Sequence, residues 1–584
     1  MITVERGNGY MYDVVFITPN MDGEMGSEAM GTLQLTSILQ EKGISCDILQ
    51  FFRIGNLTDF ASFTESAMRM IEERKPKIVS FYTRCDVYHI DLKLAQMIKA
   101  RWNDIYIVCG GPQSDITAEE TISQIPYVDF ICCGEGESTI YPFFSSLLSG
   151  TPDLSIPGLV YRADGGSHKN PRPALIEDLD SLPMLNYSLF GYTGDGMTRY
   201  KHFPIEVGRG CPFGCTFCST NAFWGRKYRL KSPERIYLEI KDAHERYGIT
   251  KFKFTHDMFT LNRNKVIETC KLLRSLDFKV EWAGSSRLDC IDRELIDIMA
   301  DAGMEGLFLG IETGSPRMQK LINKNLDLEK GLETTKYLAS KGIGFKASFM
   351  YGFPEETEED ISYTISYMGK LLTMSGASIL PHLCAFFVGT ELSRKYAEQM
   401  TPVDYYSNQT GDFAVEECKD IIQAHPNLFL HMYEYKTELR TKLNYFEHFI
   451  NTWQAKRPLY RYISEQYPQE RLIDMYYDFV AANKETLDRL CDNSAGQVTS
   501  QFLVEDKFPD QFRDAQWYDI ASELNRFYQM AYSEAVTNGD TVSAVFSINP
   551  FEKVSVRLQD YSRCVAAITW RDRKVSYKIL PYIR

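Results

Sequence analysis

Twice along this chain, short apolar runs alternate with stretches whose apolar residues recur at helical spacing. In the first series the runs are Asp13–Pro19, Ile78–Tyr82, Ile105–Cys109 and Phe130–Cys133. Between them Leu35, Ile38 and Leu39 share one helix face, as do Met68 with Ile71, and Leu94 with Met97 and Ile98. Alternation of this kind predicts α/β architecture, here an N-terminal doubly wound parallel sheet. Such a sheet binds ligands outside the carboxyl ends of its strands, where strand order reverses. The loops expected there are Thr18 to Gly31, Thr83 to His89, Gly110 to Ser114 and Gly134 to Glu137. Gly110, Gly111 and Gly134 suggest close backbone approach to a ligand.

The second series runs from His202 to Leu392, with strands expected at Pro204–Val207, Phe252–Thr255, Val280–Ser285, Gly306–Ile311, Gly344–Tyr351 and Ser378–Leu383. Helices lie between them, as at Pro233–Tyr247, where Ser232 caps the N-terminus and proline occupies the first turn. Six parallel strands suit a partial (β/α)₆ barrel and not a closed eight-stranded one.

At 584 residues the chain exceeds what one core of about 250–300 residues organises. The expected division is 1–150 for the first sheet, 151–199 for a linker with a hairpin at Gly158–Gly166, and 200–395 for the barrel. A mostly helical region, 396–540, follows, with aromatic-rich helices at Asn427–Tyr435 and Asp474–Val480. A small antiparallel sheet closes the chain over 541–584, from runs at Val542–Ile548, Val565–Trp570 and Lys574–Ile579.

The net charge of −14, with no cluster of Lys and Arg, disfavours a nucleic-acid partner. No apolar run nears the ~20 residues that span a bilayer, and the N-terminus lacks the pattern of a signal peptide. A cytoplasmic protein without membrane association is expected, and the fourteen cysteines then read as reduced thiols.

One group of cysteines has ligand spacing. Arg209-Gly-Cys-Pro-Phe-Gly-Cys-Thr-Phe-Cys-Ser219 sets Cys211, Cys215 and Cys218 in a Cys-x₃-Cys-x₂-Cys loop after the first barrel strand. Thiolates ligate iron–sulfur clusters, a cubane needs four ligands, and three leave one iron open. Gly210 and Gly214 let the loop curl, and Pro212 stiffens it. Zinc would want a fourth ligand, yet no Cys or His follows within twenty residues.

With Phe217 in its aromatic position, this loop resembles the signature of the radical S-adenosylmethionine superfamily. Phe254-Thr-His-Asp-Met-Phe259, Gly310-Ile-Glu-Thr-Gly314 and Tyr351-Gly-Phe-Pro-Glu-Glu-Thr357 resemble its branch with a cobalamin-binding domain. So do Gly110-Gly-Pro112 and Gly134-Glu-Gly-Glu137 in the first domain. The resemblance covers residues 10 to 395. It implies a [4Fe–4S] cluster on the three cysteines, with S-adenosylmethionine on the open iron. Reductive cleavage would then give a 5′-deoxyadenosyl radical that attacks an unactivated C–H bond. Phe217 would pack near the adenine, Tyr351 and Gly352 would approach it by backbone, and Glu312 would contact the cosubstrate. Asp257 would touch substrate or cap a loop.

Cobalamin is expected in the first domain, at Thr83, Gly110, Gly111 and Gly134, capped by the Thr83–His89 loop. The Asp-x-His-x-x-Gly pattern of an axial histidine is missing; Asp86-Val-Tyr-His89 is spaced differently. The implied reaction is C-methylation of a peptide or natural product, with a reductant such as flavodoxin or ferredoxin. A rival reading makes Cys384, at the end of the sixth barrel strand, the hydrogen donor of a radical peptide epimerase. Methylthio transfer to transfer RNA fits poorly, because a second three-cysteine cluster is missing from the first domain. A non-enzymatic cobalamin sensor or scaffold would not need the loop of three cysteines. The aromatic C-terminal third is a candidate for substrate recognition, with a peptide docking on an edge of its sheet.

Overall fold

The computed structural model describes residues 12–19, 30–57, 59–163, 165–190, 202–402, 414–465, 467–490 and four strands between 543 and 581. Most of the Thr18–Gly31 loop and all of 491–540, part of the region expected to be helical, lie outside the described residues.

The first sheet contains β1 (Val14–Thr18), β2 (Cys46–Gln50), β3 (Ile78–Tyr82), β4 (Tyr106–Gly110), β5 (Phe130–Cys132), β6 (Leu159–Ala163) and β7 (Gly166–Lys169). Its order is β2-β1-β3-β4-β5-β6-β7, with the first five strands parallel and the β6–β7 hairpin added antiparallel. Strand order reverses between β1 and β3, so the ends of those strands face the crevice where ligands bind in such sheets. Strand β2 is absent from the pattern read above. Asp47 and Gln50 break its apolar run, although Gln50 is fully buried and Asp47 pairs with Arg74 at 2.5 Å. The hairpin at Gly158–Gly166 continues the first sheet.

The second sheet has the order expected of an open barrel. Its strands are β8 (Phe203–Glu206), β11 (Lys251–Thr255), β12 (Glu281–Ser286), β13 (Met304–Glu312), β14 (Gly344–Tyr351) and β15 (Ala377–Leu383), paired in sequence and all parallel. Two short strands, β9 (Gly208–Arg209) and β10 (Arg229–Leu230), pair antiparallel between β8 and β11. They clasp the base of the cysteine loop. The helix Pro233–Tyr247 begins as its sequence demands, with Ser232 accepting from the Arg235 amide.

The C-terminal third divides between the two sheets. Residues 414–433 pack on one face of the first sheet, with Cys418, Leu428 and Phe429 fully buried. Phe446, Phe449, Trp453 and Tyr476 instead join the apolar core shared with the barrel. These aromatic stripes are therefore core. The helix expected over Asn427–Tyr435 is replaced by two 3₁₀ turns, Pro426–Leu428 and Leu430–Met432, that run into the extended pair Tyr433–Glu434. Pro426 lacks the amide that would continue a helix from Lys419–Ala424, and burial of successive residues Leu428 to Tyr433 leaves no polar face. The closing sheet has four antiparallel strands, Ser543–Asn549, Lys553–Gln559, Cys564–Arg571 and Lys574–Pro581. Lys553–Gln559 is the strand missing from the sequence reading. No helix among the described residues is long and apolar enough to cross a membrane.

Candidate functional site

Cys211, Cys215 and Cys218 are half-buried free thiols on one loop, and the Cys218 amide donates to the Cys215 carbonyl at 3.2 Å. The loop is pinned from several sides. Asn323 Nδ2 donates to the Gly214 carbonyl at 2.8 Å, and the Thr216 amide donates to Ile322 at 3.1 Å. Asn323 and Asn325 both take left-handed backbone, at φ 53° and 56°, which turns this clasp toward the cysteines. Gly210 has φ 81°, and a Cβ there would collide with the Lys227 carbonyl. Arg287, one residue past β12 and 5% exposed, lies over the Phe213 ring at 3.8 Å, with Nη1 3.9 Å from Cys215 Sγ. Nothing in the sequence pattern singled it out.

Burial pushes Cys211 up to about 11; a Phe213 backbone hydrogen bond opposes this, while Asp257, Cys218 and Cys215 add to it. Asp257 reaches solvent but is ringed by protein, so desolvation raises its carboxyl against a hydrogen bond with Thr220. Asp257 also raises the Cys211 and Cys218 thiols, which places it close to both. Three thiols on one short loop suit a cubane that keeps an open iron.

Glu312 ends β13 after a register shift between Gly310 and Glu312, and its φ is 71°. A bulge with left-handed backbone at a non-glycine residue re-aims the side chain at a cost of about 1–3 kcal/mol. The carboxylate is 7% exposed and meets Lys324 Nζ at 2.9 Å. A Cβ on Gly310 would sit 2.5 Å from Glu312 Oε1, so the pair lies directly on that glycine. Glu312 is no surface carboxylate.

Phe217 packs edge-to-face on Phe353, with centroids 6.3 Å apart. The Tyr351 carbonyl accepts from the Cys384 amide at 2.8 Å. Gly352 donates its amide to Glu356 Oε2 at 2.6 Å, while its carbonyl accepts from Arg440 Nη1, also at 2.6 Å. These backbone groups already have protein partners. An adenine here would meet shape and the remaining carbonyl lone pairs, which narrows the contact expected above. Cys384 is fully buried among Met318, Ile322, Met350, Phe353 and Phe386, and burial pushes its thiol up to about 12. It is packed as a small apolar side chain.

In the first domain, Thr83 is fully buried and its hydroxyl is engaged twice, donating to Gly110 at 3.0 Å and accepting from the Ser114 amide at 2.9 Å. Gly111, at φ 99°, is required because a Cβ would lie 2.9 Å from the Thr83 carbonyl. Gly134, at φ 84°, faces Pro173 and donates to Asp115 at 2.9 Å. Protein atoms therefore occupy the Cβ direction at both Gly111 and Gly134. What fits a ligand is Thr18. Its hydroxyl sits at the end of β1, at the reversal of strand order, fully buried and with no hydrogen-bond partner among the described residues. Tyr82, ending β3, is pushed up by burial and senses Arg84, Asp86 and Glu206, the last from β8. The ends of β3 and β8 thus lie near each other.

Gly134-Glu-Gly-Glu137 has a use its pattern did not reveal. Glu135 accepts from Arg209 Nη1 at 2.8 Å, Arg229 Nη1 at 2.7 Å and the Ile176 amide at 2.6 Å. Glu137 meets Arg209 Nη2 at 2.7 Å, and Glu206 meets Nε at 3.1 Å. Arg209 and Glu135 are no more than 5% exposed. Burial opposes ionisation of Glu135, but hydrogen bonds from Arg229 and Arg209 outweigh it and hold its carboxyl below the ordinary value. The first domain is therefore bolted to the barrel two residues before Cys211.

Residues 205–368 match the family model of the radical SAM superfamily, and residues 26–142 match that of the B12 binding domain. An uncharacterized methyltransferase of Pyrococcus horikoshii is 30% identical over 54% of this chain and 69% of its own length. The anaerobic magnesium-protoporphyrin IX monomethyl ester cyclase of Rubrivivax gelatinosus is 28% identical over 50% of this chain; the match spans only 53% of that relative. The fold is similar to that of the cobalamin-dependent S-adenosylmethionine radical enzyme OxsB, at TM-score 0.61 and 13% identity, over 90% of this chain and 80% of that one. The chain belongs to the radical S-adenosylmethionine superfamily, in the branch that carries a B12-binding domain ahead of the radical domain.

Proposed function

We propose that this protein is a cobalamin-dependent radical S-adenosylmethionine methyltransferase that acts on an unactivated carbon of a small natural product or peptide. The observation that carries the reading is the bolted juxtaposition of two cofactor-bearing ends, the cysteine loop after β8–β9 and the strand ends of the first sheet. Support also comes from the methyltransferase name of the Pyrococcus relative, which is 30% identical. When bound, the cluster and its adenosylmethionine supply a hydrogen-abstracting radical, and cobalamin supplies a methyl carrier.

The protein's own residues bind and orient. Cys211, Cys215 and Cys218 hold the cluster, with Arg287 placing positive charge beside Cys215. Glu312, paired with Lys324, would bind the amino group of the cosubstrate with its buried carboxylate. Phe217 and Phe353 offer ring faces for its adenine. Thr18, with its buried unpartnered hydroxyl, and the Thr83–His89 loop would hold the cobalamin. Flavodoxin or ferredoxin suits the one-electron supply.

The test is anaerobic reconstitution with iron, sulfide and hydroxocobalamin, followed by incubation with adenosylmethionine and a reductant. Corrin binding, with both S-adenosylhomocysteine and 5′-deoxyadenosine formed, is the expected result. Deoxyadenosine formed without S-adenosylhomocysteine would place the chain among non-methylating members, and no deoxyadenosine at all would refute the reading.

A further inference from the structure

The segment from Leu428 to Arg440 lies beyond both matched family regions and is bonded in turn to the two halves of the site. At its start the Leu428 carbonyl accepts from the buried side-chain Nε2 of Gln113 at 2.8 Å. His431 then donates from Nε2 to the Cys85 carbonyl, in the Thr83–His89 loop, at 2.7 Å. Burial lowers His431 to about 4, which leaves a neutral imidazole, and the carbonyl partner requires its proton on Nε2. Phe387, in the loop after β15, stacks on the same ring at 6.4 Å.

At its other end Arg440 enters the barrel. Nη1 donates to the Gly352 carbonyl at 2.6 Å and Nη2 to the Cys384 carbonyl at 3.0 Å, joining the ends of β14 and β15. The guanidinium rests on Gly352, where a Cβ would lie 3.3 Å from Nη1. The side chain is 5% exposed, and Glu434 is 3.8 Å away. A cation desolvated this far costs stability unless it is fully paired. Two carbonyls and one loose carboxylate are incomplete pairing, so stability alone does not account for Arg440.

We propose that residues 428–440 form a strap that sets the spacing between the two cofactor-bearing ends. His431 is the positioning residue for the Thr83–His89 loop on the corrin side. Arg440 is the positioning residue for the turns at Gly352 and Cys384 on the adenosylmethionine side. The inference rests on the function proposed above and gives the C-terminal third a part in the site.

The test uses the full chain, reconstituted with its cluster, and the variants Arg440→Lys, Arg440→Ala and His431→Gln. Lysine keeps the charge but cannot span both carbonyls. Arg440→Lys should weaken adenosylmethionine binding about tenfold or more, the equivalent of one charge-assisted hydrogen bond. Iron content and hydroxocobalamin affinity should stay at parent values. Added guanidinium should restore part of the adenosylmethionine affinity to Arg440→Ala. His431→Gln should do the reverse, weakening hydroxocobalamin binding and leaving adenosylmethionine binding unchanged. Folded variants that keep both affinities within about twofold of the parent would overturn the strap. So would a uniform loss of iron, corrin and adenosylmethionine in both variants, because packing alone predicts that result. If Arg440 variants do not fold, His431→Gln decides the matter. A parent protein that makes no 5′-deoxyadenosine refutes the proposed function instead.

Discussion

Glu135→Gln tests whether the first domain is bolted to the cysteine loop by charge. The substitution conserves shape but removes the anion that meets Arg209, Arg229 and the Ile176 amide. One of the amide's two polar ends must then face a guanidinium N–H with its own N–H. Removing one partner of a buried pair costs about 3–5 kcal/mol, mostly because the other charge stays buried. Arg209 retains Glu137 and Glu206, so the loss falls on Arg229. Arg229 is left with the Ile176 carbonyl at 2.5 Å and the Trp224 ring at 5.5 Å. The low end, about 3 kcal/mol, is the expected cost. Hydrogen exchange reads it locally, since Arg209 and Leu230 belong to the β9–β10 ladder and the Lys231 amide donates to Val207 at 3.0 Å. At about 1.4 kcal/mol per tenfold, exchange there should quicken roughly a hundredfold. The Glu135 carboxyl is held below its ordinary value, so the parent enjoys this stabilisation in full above pH 4.5 and loses it as pH falls below that. The variant should show no such acid-dependent loss at these amides. A change in exchange of less than about threefold at neutral pH would show the ion cluster to be incidental.

Cys215→Ala should leave the reconstituted protein with little iron and no detectable 5′-deoxyadenosine, measured by iron analysis and chromatography, while far-ultraviolet circular dichroism stays that of the parent. Glu312→Gln leaves Lys324 buried without its anion, and should lower the urea midpoint by the equivalent of about 3 kcal/mol and weaken adenosylmethionine binding. Unchanged binding would remove Glu312 from the cosubstrate site. Burial raises Glu356 to about 8, against the amides of Gly352 and Phe353, so the folded state holds its proton more tightly than the unfolded chain. Stability from this group is therefore lost as pH rises from about 4.5 to 8, and Glu356→Gln should flatten that decline in a thermal-melt series. Cys384→Ser should cost stability by placing a hydroxyl among apolar side chains, yet leave 5′-deoxyadenosine formation unchanged; a selective loss of product with full radical formation would bring the thiol back into the chemistry.

What could be read from the sequence, and what could not, follows the range of the interactions involved. Both parallel sheets were legible because strand and helix periods are local, and Cys211, Cys215 and Cys218 were legible because a ligand loop carries its spacing within eight residues. Where polarity and strand structure conflict, local reading fails: Asp47 and Gln50 hid β2, since each is satisfied by contacts that the run itself does not show. Glycines announced close approach but not by what. Gly111 is crowded by Thr83 and Gly134 by Pro173 on the side a Cβ would take. The residues that make the site a single object are the most distant in sequence. Glu135 meets Arg209 across 74 positions and Arg287 nears Cys215 across 72, while Arg440 reaches Gly352 across 88 and His431 reaches Cys85 across 346. Each is a charged or polar side chain that looks like ordinary surface until a partner from elsewhere buries it. Motif reading therefore finds ligand patterns that are local in the chain, whereas the groups that tie the two sheets together emerge only when the chain is folded.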